Sequence, residues 1–266
     1  MDEYTRIAEL LESGKITAEE AQRLIEALEE EARPALAPGG ESGAVELAVR
    51  LRRAELSLTV REEASEPRIE SEVEGVTLER AEGGWRLYDR SDGLDLGGLL
   101  GFLRGALLRR VVLAVPAGTR VELDLGQGTL RSQGRLAALE GELGQGTARI
   151  EEAKRVRFEL GQGTLIVGRA EALDLEVGQG TIEASARLAE GRHRVETGMG
   201  SVRLGLLEGS DVRARLASGL GSVRLIQDGE VREGKGQHSG LEATLGSGRA
   251  RLEVESGLGT VEVRLP

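Results

Sequence analysis

Few groupings in this 266-residue chain have residue types and spacing suited to chemistry. The peptide GEVREGKG (229–236) has the glycine and lysine spacing of a phosphate-binding loop, in which backbone N–H groups and a lysine cradle phosphates. Gly236 stands where such a loop needs Ser or Thr for magnesium, and Gln-His-Ser-Gly follows instead of a helix, so the peptide reads as an exposed loop. His193 and His238 are the only histidines, and neither has cysteine or a second histidine at metal-ligand spacing. His238 precedes Ser239, but neighbours on a strand face opposite ways, which separates a base from its nucleophile. Asp211 and Asp228 are isolated in sequence. The expectation is a protein that is not an enzyme and carries no cofactor and no metal.

One pattern recurs where chemistry could have been sought. Gly-Gln-Gly-Thr stands at 126–129, 144–147, 161–164 and 178–181, and degenerate copies follow at 198–201, 219–222, 246–249 and 257–260. Calcium-binding β-roll repeats need an aspartate just beyond the glycines, and here Thr or Ser fills that column. The recurrence therefore reads as scaffold, with glycines permitting a positive φ and close stacking of corners. Stacking aligns Gln127, Gln145, Gln162 and Gln179 in one column and Thr129, Thr147, Thr164 and Thr181 in another, giving an amide ladder and a hydroxyl ladder.

These corners need strands on either side. From Val45 apolar residues alternate with polar ones: Val45, Leu47, Val49 and Leu51; Leu56, Leu58 and Val60; Ile69, Ser71 and Val73; Val76 and Leu78; Trp85 and Leu87. After an interruption at 91–110 the alternation resumes, as in Val156, Phe158 and Leu160 before Gly161 and Leu165 and Val167 after Thr164. The predicted fold is mainly β, a β-solenoid over 45–266, with a looser second corner at places such as 168–171 and 228–240. Residues 3–31 read instead as a helical hairpin. Tyr4, Ile7, Leu10 and Leu11 form one stripe, Gly14 a stop, and Thr17 with Glu20 a capping box before Leu24, Ile25 and Leu28. The domains are thus 1–31, a Pro- and Gly-rich linker at 32–44, and 45–266.

Two segments depart from the repeat. GGLLGFLRGALLRR (97–110) combines Leu99, Leu100, Phe102, Leu103, Leu107 and Leu108 with Arg104, Arg109 and Arg110 and has no acid. It reads either as a plug for the apolar interior or as a contact for an anionic membrane surface or a partner protein. TVEVRLP (260–266) reads as a last strand with an open edge, available for pairing with a second copy.

The run VVLAVPAGTRVELDLGQGTL (111–130) resembles the bacterial putative-adhesin β-solenoid family. YTRIAELLESGKITAEEAQRLIEALEE (4–30) resembles the SHOCT-like helical hairpin that precedes such solenoids. This is also the layout of LiaX-type proteins of the bacterial cell-envelope stress response. The resemblance implies a β-solenoid with a role in envelope stress and transfers no catalytic residue.

Composition bounds the partners. The net charge of −11 argues against nucleic acid, whose phosphates need a basic surface. Cysteine is absent, no apolar run is long enough to span a bilayer, and no secretory leader is legible, so the expected location is cytoplasmic, peripheral to a membrane if 97–110 docks there. The function expected is a non-enzymatic scaffold that meets a protein partner or itself through residues 3–31 and strand 260–265. The alternative is a structural protein that assembles through solenoid ends.

Overall fold

The computed structural model describes residues 44–89 and 109–266. The expected hairpin at 3–31 and residues 97–108 lie outside the described residues. Those described are mainly β, with no helix among them.

Strand β1 (Glu46–Arg61) shows how one sequence makes a cornered strand. Leu47, Val49 and Leu51 are buried, then Ala54, Leu56 and Leu58. Between them Arg52 and Arg53 are both exposed, which breaks the period of two. The backbone bends there, so the apolar sets on either side both face inward. In later strands Gly-x-Gly occupies this place, with its second glycine at φ between 138° and 151°.

A short two-residue strand, β2 (Arg68–Ile69), covers only the start of the strand expected from Ile69, Ser71 and Val73. Then β3 (Val76–Ala81) and β4 (Gly84–Asp89) form an antiparallel hairpin. Both β4 and β5 (Arg109–Pro116) run parallel to β1, β4 before its corner and β5 after it. Together they line β1 as one strand would, with the break between Asp89 and Arg109 where β1 has its corner. Asp89 and Arg109 form an ion pair that ties the two ends. Asp89 is buried and also accepts a hydrogen bond from the Arg52 N–H at 2.9 Å. Arg109, one of the candidate contact residues, forms this clasp, and Arg110 is exposed.

The 67 residues of β6 (Arg120–Ala186) carry all four Gly-Gln-Gly-Thr corners. A methyl group on Gly144 would lie 2.5 Å from Gly126 O, and one on Gly178 would lie 2.7 Å from Gly161 O. Successive corners are therefore stacked in register. The start of β6 pairs in parallel with β1, and its end with β7 (Gly191–Leu206).

The remaining strands depart from sequence order. β8 (Val212–Gln227), β9 (Glu230–Leu245) and β10 (Ala250–Arg264) extend the sheet in the order β7-β10-β8-β9. Strand 260–265, expected to be an open edge, lies mostly in β10 and is paired in parallel on both sides. The edge belongs to β9, antiparallel to β8. Asp228 and Gly229, both at positive φ, form the two-residue turn between β8 and β9. The loop expected at 228–240 is thus a hairpin, and 229–236 is turn and strand. The expected corner at 246–249 is the connection from β9 to β10. Asp211 holds it by accepting hydrogen bonds from Ser247 Oγ and Arg249 Nε, both at 2.7 Å, and from the Gly248 N–H.

Charge favours inserting β10 at two positions, although the same register stacks Arg251 between Arg192 and Arg213. The register aligns Glu183, Arg203, Glu262, Arg224 and Glu233 across β6-β7-β10-β8-β9, and likewise Asp174, Arg194, Glu253, Arg215 and Glu242. Both columns alternate in sign at every step. Were β8 to follow β7 directly in this register, Arg203 would oppose Arg224 and Arg194 would oppose Arg215. Opposite charges facing each other on adjacent strands are mildly favourable and like charges unfavourable. The ion pairs Arg203–Glu183 at 2.8 Å and Arg224–Glu262 at 3.3 Å belong to this pattern.

Replacing Glu253 and Glu262 together by arginine should cost about 2–3 kcal/mol at low salt, because four favourable neighbours become repulsive. Urea unfolding should show that loss shrinking in 1 M salt (order of magnitude from the shortened Debye length). A loss unchanged by salt would mean that the alternation does not help set the strand order.

Candidate interaction surface

The residue between the paired glycines and its register partners, Arg53 on β1 and Gln237 on β9, are exposed at successive levels, and the identity at this position changes along the stack. The column runs Arg53, Gln127, Gln145, Gln162, Gln179, Met199, Leu258, Leu220, Gln237. Its first part is the glutamine column, at whose start Arg53 Nε donates to Gln127 Oε1 at 2.9 Å and Gln127 Nε2 donates to Gln145 Oε1 at 3.4 Å. The glutamines then give way to three aliphatic side chains on adjacent strands, Met199 44% exposed, Leu258 48% and Leu220 51%. These three are widely separated in sequence and adjacent only because β10 lies between β7 and β8.

The hydroxyl column continues beyond Thr129, Thr147, Thr164 and Thr181 through Ser201, Thr260 and Ser222. Ser222 Oγ donates to Thr260 Oγ1 at 3.4 Å. It is half-buried and belongs to the wall of the corner.

A third column was not recognised from the sequence. Two residues before each first glycine stand Asp124, Glu142, Glu159, Glu176, Glu196 and Glu255, carboxylates on six successive levels of the stack. At the β8 and β9 levels the column continues with Ala217 and Gly240. The exposed first glycines separate this acidic column from the Gln/Met/Leu column, so the surface is a glycine-floored trough with one acidic wall. Beside Ala217 and Gly240, which lack bulk, lies a hollow of about 750 Å³ lined by Glu176, Glu196, Glu255, Glu242, Arg215 and His238, among others. Among these six the acids outnumber the bases.

Glu196 is the member of this column that burial perturbs. Burial raises its pKa, and the charges of Glu255 and Glu176 add to the shift, while the hydrogen bond and charge of Arg194 oppose it. The Arg194 Nε–Glu196 Oε1 distance is 2.7 Å.

The residues singled out for chemistry are distributed elsewhere or held structurally. His193 is buried in the aliphatic core, its Nδ1 accepting from the Leu173 N–H and its Nε2 against Glu190 O at 2.9 Å. Burial lowers its pKa. His238 is exposed and Ser239 is buried, on opposite faces of β9 as expected from their adjacency. Asp211 is held well below the ordinary carboxylate range by Ser247 and Arg249 and serves the β9–β10 connection. Leu99, Leu100, Phe102, Leu103, Arg104, Leu107 and Leu108 lie outside the described residues.

Beneath the trough, inside the core, Thr197, Ser256, Ser218 and Ser239 are adjacent on β7, β10, β8 and β9. Ser218 Oγ donates to Gly259 O at 3.2 Å, whereas the hydroxyls of Thr197, Ser256 and Ser239 are buried with no hydrogen-bond partner. A buried unpaired hydroxyl costs free energy that an isosteric apolar group does not.

Two substitutions test this account. Thr197→Val should raise stability by about 1 kcal/mol; a loss in calorimetry would show that the hydroxyl has a partner worth more than its burial. Glu196→Gln probes the stacked carboxylates. A raised carboxyl pKa contributes stability that is complete below the unfolded value, for which 4.5 is the reference, and is lost as pH rises through the folded value. The variant should therefore gain on the wild type between about pH 4 and pH 7. A stability difference that is flat over this range would contradict the shift.

Residues 2–33 match the family model of a SHOCT-like domain. No curated protein matches the chain. Among solved structures, a putative cell adhesion protein from Clostridium sporogenes ATCC 15579 is similar at 12% identity and a TM-score of 0.35, covering 84% of this chain and 94% of that one.

Proposed function

We propose that this protein is a non-enzymatic interaction scaffold, in which a β-solenoid frame presents its corner surface to a protein partner. The carrying observation is the row of half-exposed Met199, Leu258 and Leu220 on adjacent strands beside an acidic column. Exposed apolar side chains gathered in one place mark a contact surface more than scattered ones do. The SHOCT-like match at 2–33 and the resemblance of 111–130 to adhesin-like solenoids support a setting in bacterial envelope-stress physiology. A second reading, self-assembly through stack ends, is favoured by the edge of β9, which has no further strand paired to it among the described residues.

A photo-crosslinking residue at exposed Gln237, in the corner column, should capture a protein from the native cell. The same residue at exposed Gln133, away from the trough, should not. Equal capture at both positions, or capture at neither, would remove the corner as a contact surface.

A further inference from the structure

We propose that the corner surface at β7, β10 and β8 receives the 97–110 segment of a second copy of this chain, forming a closed antiparallel dimer. The proposal rests on the interaction reading above and names its partner. The surface offers Met199, Leu258 and Leu220 as an apolar strip, with Glu176, Glu196 and Glu255 along one side. Its complement is a polypeptide with aliphatic side chains and cations and without acids. GGLLGFLRGALLRR has that composition, within a chain whose net charge is −11; with Arg109 held by Asp89, Arg104 and Arg110 are the cations it can offer. The acidic hollow beside Ala217 and Gly240 provides room for a guanidinium among carboxylates.

Distance separates the segment from this surface within one copy. Arg109 pairs with Ala54 at the far end of the corner column. Six strand-to-strand steps separate its level from Met199, about 29 Å at the usual strand spacing. Fully extended, Leu107 and Leu108 reach about 7 Å from Arg109, Arg104 about 18 Å and Phe102 about 25 Å, so only Leu99 and Leu100 could gain the Met199 level, and they only with the chain drawn out straight. In a second copy the obstacle disappears. Asp89 and Arg109, which flank residues 90–108 in the chain, stand at one end of the corner column and the apolar strip occupies the other. Two copies with their corner columns antiparallel place each segment against the other's strip. One two-fold axis satisfies both contacts and closes the assembly. Opposite charges at both contacts also make the pairing salt-sensitive.

Sedimentation velocity of the full chain across concentration tests this. The wild type should be a dimer that weakens as salt rises. Met199→Gln, Leu258→Gln and Leu220→Gln together extend the native glutamine column and should weaken the dimer by about tenfold or more, with the thermal midpoint retained. Leu100→Asp with Phe102→Asp should do the same from the other side. A wild type that stays monomeric at about 100 μM, well above the affinity range of a specific dimer, overturns the proposal. So does a dimer that survives the 100/102 substitutions, which would point to the β9 edge. Flotation of a monomeric wild type with phosphatidylserine vesicles, lost on those substitutions, would assign the segment to lipid instead. Capture of a different protein by the Gln237 crosslinker would leave the scaffold reading standing while this dimer fails.

Discussion

Every column of this protein depends on a place where no side chain can stand. At each Gly-x-Gly corner of β6, β7, β10 and β8 the carbonyl oxygen of the preceding level occupies the space that a Cβ on the glycine would need. A methyl on Gly163 would collide with Gly146 O, and one on Gly180 with Gly163 O. The second glycine also takes a φ that penalises any side chain, 138° at Gly163 and 145° at Gly180. Two glycines per strand thus pin the register far more tightly than aliphatic packing alone. A one-residue slip would bring a Gln or Thr into this contact and turn the buried face outward.

A pinned register makes ladders unavoidable, and each ladder's energy depends on what it repeats. Amides gain from self-stacking, as Gln127 and Gln145 do, because each carries both donor and acceptor. Carboxylates repel one another; at Glu196 burial is the main cause of the raised pKa, and the charges of Glu255 and Glu176 add to it. Where sign alternates, as with Arg157 between Glu140 at 3.3 Å and Asp174 at 3.5 Å, stacking becomes mildly favourable. The acidic column is therefore the one ladder the frame does not require, and it lies beside the apolar strip.

The strands and corners were legible because period-two alternation and the glycine repeat are local signals. The interruption after Asp89 was also visible, although only the pairing of β4 and β5 with one β1 shows that it occupies a corner. The β8–β9 hairpin was missed although Asp228-Gly229 is a strong turn signal between alternating residues, because the repeat suggested another long loop. The strand order was missed for a different reason. Sequential stacking was assumed, and the clue lay in comparing charges at equal distances from glycines far apart in the chain. Arg203 and Arg224 would repel mildly as neighbours, and Glu262 fits between them. The buried hydroxyls of Thr197, Ser256, Ser218 and Ser239 carry no such local signal, since each is unremarkable within its own strand.

Inserting β10 has a consequence beyond charge. In sequential order the corner column would read Met199, Leu220, Gln237, Leu258, with a polar residue interrupting the aliphatic ones. The observed order moves Gln237 to the edge and leaves three aliphatic residues contiguous. The strand exchange that separates the arginines therefore also assembles the apolar strip. It does so at the end of the stack where the Gly-Gln-Gly-Thr repeat has already degenerated. Regular repeats supply a rigid ruler with little to distinguish one level from the next. Recognition needs a level that differs, and the departures from repetition concentrate at β7, β10, β8 and β9: aliphatics for glutamines, a hollow at Ala217 and Gly240, and hydroxyls in the core.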